Sequence, residues 1–216
     1  MAGLAFHAAI QSLYEQSHKG GRMLRFLTLA LAFLVTALIS SLAMPPQPAN
    51  ATEAGWALLR EGGQVVLLVH ANAAGGSDPA NFDIENCRTQ RNLSERGRQQ
   101  ARRIGALFAA RAEPVEAVYS SRYCRALETA RLAFGDRLVE PVAALDLLPG
   151  DAEAATTANE AIIAIVRDHT GSGNLVLVTH AENVLALTGS RAREGEAIIV
   201  APHDEGLSVI GRIVFN

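Results

Sequence analysis

Along this chain, short continuous apolar runs alternate with stretches in which apolar positions recur every three or four residues. After Gly62-Gly63 the run "QVVLLVH" is β-branched and aliphatic, the composition of a strand buried on both faces, as in a parallel sheet. It ends on His70. The following "ANAAGGSDPANFDIENCRTQRN" has no periodicity and is rich in Gly, Asn and Asp, which predicts a long loop of the functional kind. Ser94 is placed to cap a helix whose apolar stripe is Ala101, Ile104, Leu107 and Phe108. Arg98, Gln99, Arg102 and Arg103 take its wet side, and Pro114 stops it.

The alternation continues. "VEAVYSS" predicts a second strand, and "YCRALETARLAFG" a helix with Leu127, Ala130 and Phe134 on one face and Gly135 as its stop. "RLVEPVAALDLLPGD" reads equally as strand or loop. A helix from Glu153 to His169, striped by Ala158, Ile162 and Ile165, is broken by "GSG" before the strand "NLVLVTH", which ends on His180. A short helix, "ENVLALTG", precedes "AIIVA" and "LSVIGRIVF", a hairpin across "PHDEG". Strands alternating with helices predict an α/β fold, a three-layer α/β/α sandwich around a mostly parallel sheet. Ligands of such sheets bind at the carboxyl ends of the strands, so His70 and His180 point to one crevice.

The N-terminus follows a different rule. "FLTLALAFLVTALISSLAM", Phe26 to Met44, carries no charge, Lys19, Arg22 and Arg25 precede it, and "PANATEA" supplies an A-x-A site for cleavage after Ala51. The expectation is a secretory signal, with residues 1–51 as N-terminal extension and signal peptide and 52–216 as one domain. An uncleaved membrane anchor is the alternative, since about 19 apolar residues also span a bilayer. The start is Met1 or Met23. Both readings put the domain outside the cytoplasm, periplasmic or extracellular.

A net charge of −3 with dispersed basic residues leaves no polyanion-binding face, so no nucleic-acid partner is expected. The two cysteines, Cys87 and Cys124, fall in the exported domain, where a bridge would persist; a bridge and two buried thiols remain equal alternatives. His7, His18, His169 and His203 lie at no matched strand end. Arg122 and Arg125, in "SSRYCRALETA", fall at the end of the intervening strand, where guanidinium forks meet phosphate oxygens bidentately. Two imidazoles with arginines suit phosphoryl chemistry.

Four segments in order resemble the histidine phosphatase superfamily, with its phosphoglycerate mutase-like fold, from about Gln64 to the C-terminus. They are His70-Ala71 at the first strand end, "NLSERGRQQARRIGALF", "SSRYCRALETA" and "LVLVTHAENVLALTG". The resemblance implies that His70 attacks a phosphate monoester to give a phosphohistidine that water cleaves, with no metal or other cofactor. It implies that Arg125 binds the phosphoryl group, that His180 is the second pocket histidine, and that Asp146 donates the leaving-group proton, with Glu182 as runner-up. The family's arginine before the nucleophile is Val69 here, a departure that weakens the phosphate site and leaves open a pseudophosphatase that binds a phosphorylated ligand or envelope partner. Arg88 and Arg91, from the long loop, are the candidates to replace the missing cation. The expected substrate is a small phosphorylated molecule, an envelope sugar phosphate being suggested by location; a membrane partner is expected only if the signal is uncleaved.

Overall fold

The computed structural model describes residues 51–111, 114–204 and 206–215. The segment read as signal or anchor lies outside these residues. Among the described residues no helix is long and apolar enough to cross a membrane.

In chain order the elements are α1 (Ala51–Glu61), β1 (Val65–Val69), α2 (Glu95–Arg111), β2 (Val115–Ser120), α3 (Cys124–Phe134), β3 (Val139–Pro141), α4 (Ala152–Asp168), β4 (Asn174–Thr179), α5 (Ala181–Thr188), β5 (Glu196–His203) and β6 (Gly206–Val214). The strands form one sheet in the order β3-β2-β4-β1-β5-β6. β3, β2, β4 and β1 are parallel, while the hairpin β5–β6 runs antiparallel along the β1 edge. β1 and β4 are buried at every residue because they are the middle of the sheet and are covered on both faces.

Alternation along these strands sorts the core into two layers. Val66, Leu68, Val176 and Val178 face α1, α2 and α3, and pack with Trp56, Leu59, Ile104, Phe108, Ala126 and Ala130. Val65, Leu67, Val69, Leu175 and Leu177 face the opposite side, with Ile162 and Val166 of α4 and Val184 and Leu187 of α5. Each such side chain, fully buried, contributes about 1.5–3 kcal/mol, so the two central strands carry much of the fold. The mixed six-stranded sheet between two helical layers is the expected sandwich.

Three details differ from the sequence reading. α1 was not anticipated, although Trp56 and Leu59 are buried and Trp56 packs edge-on against Phe108 and Phe215; one helix of three turns beside the export-like segment gives little periodicity to read. In α3 the expected face of Leu127, Ala130 and Phe134 is only part of what packs: Ala130 is buried and Phe134 meets Phe108, but Leu127 is half-exposed and the buried face also takes in Cys124, Arg125, Ala126 and Thr129. The ambiguous stretch after Gly135 is both strand and turn: β3 is followed by a 3-10 turn, Ala143–Leu145.

Candidate active site

β1 and β4 are parallel neighbours in register, Val69 opposite Thr179, so the residues that follow them, His70 and His180, emerge side by side. Their ring centroids are 5.4 Å apart. Both imidazoles are buried, at 3% and 0% exposure. His70 Nδ1 lies 2.8 Å from the Ala71 carbonyl oxygen, which only an N–H can satisfy. Its proton is therefore on Nδ1, and Nε2 carries the lone pair. Burial, ahead of the neighbouring guanidiniums, pushes this imidazole down from 6.5 to about 3, so it is neutral at ordinary pH.

Two arginines face that lone pair. Arg125 donates from Nε to His70 Nε2 at 3.2 Å and from NH2 to His180 Nδ1 at 3.3 Å, forking between the imidazoles. Its guanidinium lies 4.6 Å over the Tyr123 ring, which also meets His180 edge-on. Arg91 NH2 stands 3.5 Å from His70 Nε2. Because Arg125 donates to Nδ1 of His180, the His180 proton is on Nε2. It passes to Ser121 Oγ at 2.9 Å, and Ser121 donates onward to Asp146 at 3.1 Å. Burial, then Arg125, holds His180 well below its ordinary pKa.

The surrounding motif residues are local scaffolding. Thr129 Oγ1 donates to the Arg125 carbonyl and accepts the Ala71 N–H at 2.9 Å, tying α3 to the turn after His70. Gly97 leaves room for the same turn, since a Cβ there would lie 1.9 Å from the Asn72 carbonyl oxygen. Ser94 Oγ caps α2 on the Gly97 N–H and bonds Asn72. Gln90 accepts the Cys124 N–H, fastening the long loop to the start of α3. Cys87 and Cys124 form a disulfide with Cα atoms 5.7 Å apart, beside that bond.

The structure thus gathers His70, His180, Arg125 and Arg91. Arg88, expected as a phosphate ligand, is exposed on the 3-10 turn Cys87–Thr89 and takes no part in these contacts. Arg122 is diverted to an ion pair with Asp146 at 2.6 Å. Asp146 accepts from that guanidinium, from the Arg122 N–H and from Ser121, and so stands two hydrogen bonds behind His180. Glu182 is exposed on the first turn of α5. Val69 is wholly buried in the layer shared with α4 and α5, where it fills core.

Two carboxylates that the sequence reading missed hold the arginines. Asp78, in the long loop, pairs with Arg125 NH1 at 3.1 Å and accepts the Arg91 N–H at 2.8 Å. Glu194, in the turn before β5, pairs with Arg91 NH2 at 2.9 Å and accepts from Asn72 at 2.8 Å. No sequence signal marks either: each is a single acid in a stretch without periodicity. Among the described residues no group of three or more His, Cys, Asp or Glu side chains is arranged to hold a metal ion. What the arrangement offers is an unprotonated, buried imidazole nitrogen facing two guanidiniums, a combination capable of nucleophilic attack beside cations that can hold anionic oxygens.

Comparison with known proteins agrees with the geometry. The model of the histidine phosphatase superfamily (branch 1) matches residues 80–148. An Escherichia coli protein provisionally assigned as an alpha-ribazole-5'-P phosphatase superimposes with a TM-score of 0.55 at 16% identity, over 70% of this chain and 96% of its own. The phosphoserine phosphatase of Entamoeba histolytica, in complex with 3-phosphoglyceric acid, gives 0.51 at 13% identity over 70% and 96%. A protein of Agrobacterium tumefaciens provisionally assigned as the phosphohistidine phosphatase SixA gives 0.50 at 20% identity over 70% and 97%. At these identities the superpositions show the fold. No curated protein matches the chain by sequence.

Proposed function

We propose that this chain, a histidine phosphatase superfamily member by fold and by the match over residues 80–148, is an exported hydrolase of phosphomonoesters that works through a phosphohistidine on His70. The observation that carries the reading is the orientation of His70: Nδ1–H is committed to the Ala71 carbonyl, and the unprotonated Nε2 faces Arg125, which donates to it, and Arg91. In-line attack by Nε2 breaks the ester P–O bond; the guanidiniums hold the charge on the phosphoryl oxygens, and water then cleaves the P–N bond. His180, its Nε2–H held by Ser121, accepts from Arg125 at Nδ1 and so steadies the guanidinium beside His70. Arg91 stands in for the cation missing at Val69.

The proposed cations are all guanidiniums, so a chelator should leave the rate unchanged. Export is supported by the N-terminal sequence, and the Cys87–Cys124 bridge is compatible with an oxidising compartment. Substrates are small phosphorylated molecules, with envelope sugar phosphates the first class to try.

The test is trapping. Wild-type protein mixed briefly with a panel of phosphomonoesters and quenched in alkali should carry an acid-labile phosphoryl group, absent from His70→Ala. Absence of both phosphoenzyme and turnover across the panel overturns the reading. A phosphate-binding protein without turnover is the second reading, favoured by the pairing of each pocket arginine with a carboxylate; saturable vanadate binding without phosphoenzyme would establish it.

A further inference from the structure

The turn that carries Glu194 is built onto the nucleophile's own backbone. Gly195, in the left-handed conformation at φ +73°, donates its N–H to the His70 carbonyl at 2.9 Å and to that of Val69 at 3.2 Å. A side chain at this position is strained, which suits glycine. Gln100 donates to the Glu194 carbonyl at 3.2 Å while accepting the Asn72 N–H. The Glu194 side chain is held from both ends: Oε1 by Arg91 NH2, Oε2 by Asn72 Nδ2. One guanidinium nitrogen therefore bridges this carboxylate and the attacking atom of His70, at 2.9 and 3.5 Å.

The other acids are worse placed. Asp146 is separated from His70 by Ser121, His180 and Arg125. Asp78 is fastened on the NH1 end of Arg125 and by the Arg91 backbone, whereas that arginine meets His70 through Nε. Glu182 is exposed. Glu194 instead shares a single guanidinium nitrogen, Arg91 NH2, with His70 Nε2, and it lines a neighbouring cavity of about 490 Å³ with Asn72, Gln100 and Ala181.

We propose that Glu194 is the general acid of the reaction. A phosphate that takes over Arg91 frees the Glu194 carboxyl, still held by Asn72, to meet the leaving oxygen. As His70 Nε2 bonds to phosphorus and the ester P–O bond breaks, the leaving oxygen takes the electron pair and the Glu194 proton, departing as the alcohol. In the second step the Glu194 carboxylate accepts a proton from the water that attacks the phosphohistidine, which restores the acid and frees His70. This assignment rests on the phosphatase reading above.

The experiment compares two leaving groups in the full exported domain: an alkyl phosphate, whose alkoxide must be protonated, and p-nitrophenyl phosphate, whose phenolate leaves with little help. General acid catalysis is worth about 10²–10⁴, so Glu194→Gln should cut turnover of the alkyl ester by at least about a hundredfold and that of the aryl ester far less. An equal loss on both esters would make Glu194 only a support for Arg91, and no loss on either would remove it from the site; each result overturns the proposal. The same leaving-group split in Asp146→Asn or Asp78→Asn, and not in Glu194→Gln, also overturns it. Wild type inactive on both esters would instead remove the phosphatase reading itself.

Discussion

Acidification should destabilise this fold through its buried imidazoles, and the size follows from His70. Its folded-state value is about 3 against 6.5 for an exposed histidine. Between these limits the unfolded chain takes up a proton that the folded chain refuses, so the stabilisation is complete above about 6.5 and is lost as pH falls toward 3. Each pH unit in that window is worth about 1.4 kcal/mol, and titration from pH 7 to 5 removes about 2 kcal/mol through His70 alone. His180 is displaced in the same direction, by burial and then Arg125, and adds with the same sign. The assay is urea unfolding at pH 7, 6 and 5 at fixed salt, for wild type and His70→Gln. The variant carries a neutral side chain that does not titrate, so its loss between pH 7 and 5 should be smaller by about 2 kcal/mol, whatever its stability at pH 7. Equal slopes for the two proteins, or a wild type that gains stability on acidification, would refute the assignment of a neutral buried His70.

Three further outcomes are expected. Arg91→Ala removes one positioned donor to developing charge and should lower kcat/KM by about 10²–10³, whereas Arg88→Ala, altering an exposed side chain, should stay within about twofold of wild type by the same donor argument; steady-state kinetics on one ester separates them. Thr129→Val leaves the buried Ala71 N–H without its partner, at a cost of about 1–3 kcal/mol in denaturant unfolding, and should slow phosphoenzyme formation more than it weakens vanadate binding, because the turn it steadies carries His70. Reduction of the Cys87–Cys124 bridge, which spans 37 residues, should lower stability by about 4 kcal/mol on the loop-closure account; an unchanged unfolding midpoint with and without reductant would contradict it.

The strands and their terminal histidines were legible because burial on both faces writes a continuous apolar run, and a polar residue at its end is conspicuous. His70 and His180 were found this way, and the helices between them by period. Arg125 was expected at the crevice, but the burial of Thr129 against Ala71 was hidden, since a polar residue on the buried face of α3 looks like one on the wet face until its partners are known. Arg91 and Arg88 are three residues apart in one loop, and nothing local says which a 3-10 turn aims at His70. Asp78 and Glu194 were illegible for a stronger reason. Glu194 meets Arg91 across 103 positions through a turn with no period, and only the edge pairing of β5 on β1 brings them together.

Val69 bears on how such a sequence can change over time. Its side chain belongs to the dry layer under α4 and α5, while the pocket beyond it balances Arg91 and Arg125 against Asp78 and Glu194. An arginine arriving at 69 with those four in place would draw a cation from a core position and add a third positive charge to a balanced set. The same arginine arriving after the loss of Arg91 would restore the count. On the proposed role of Arg91, substitutions at 69, 91 and 194 should therefore be non-additive, so that the order in which they arise matters.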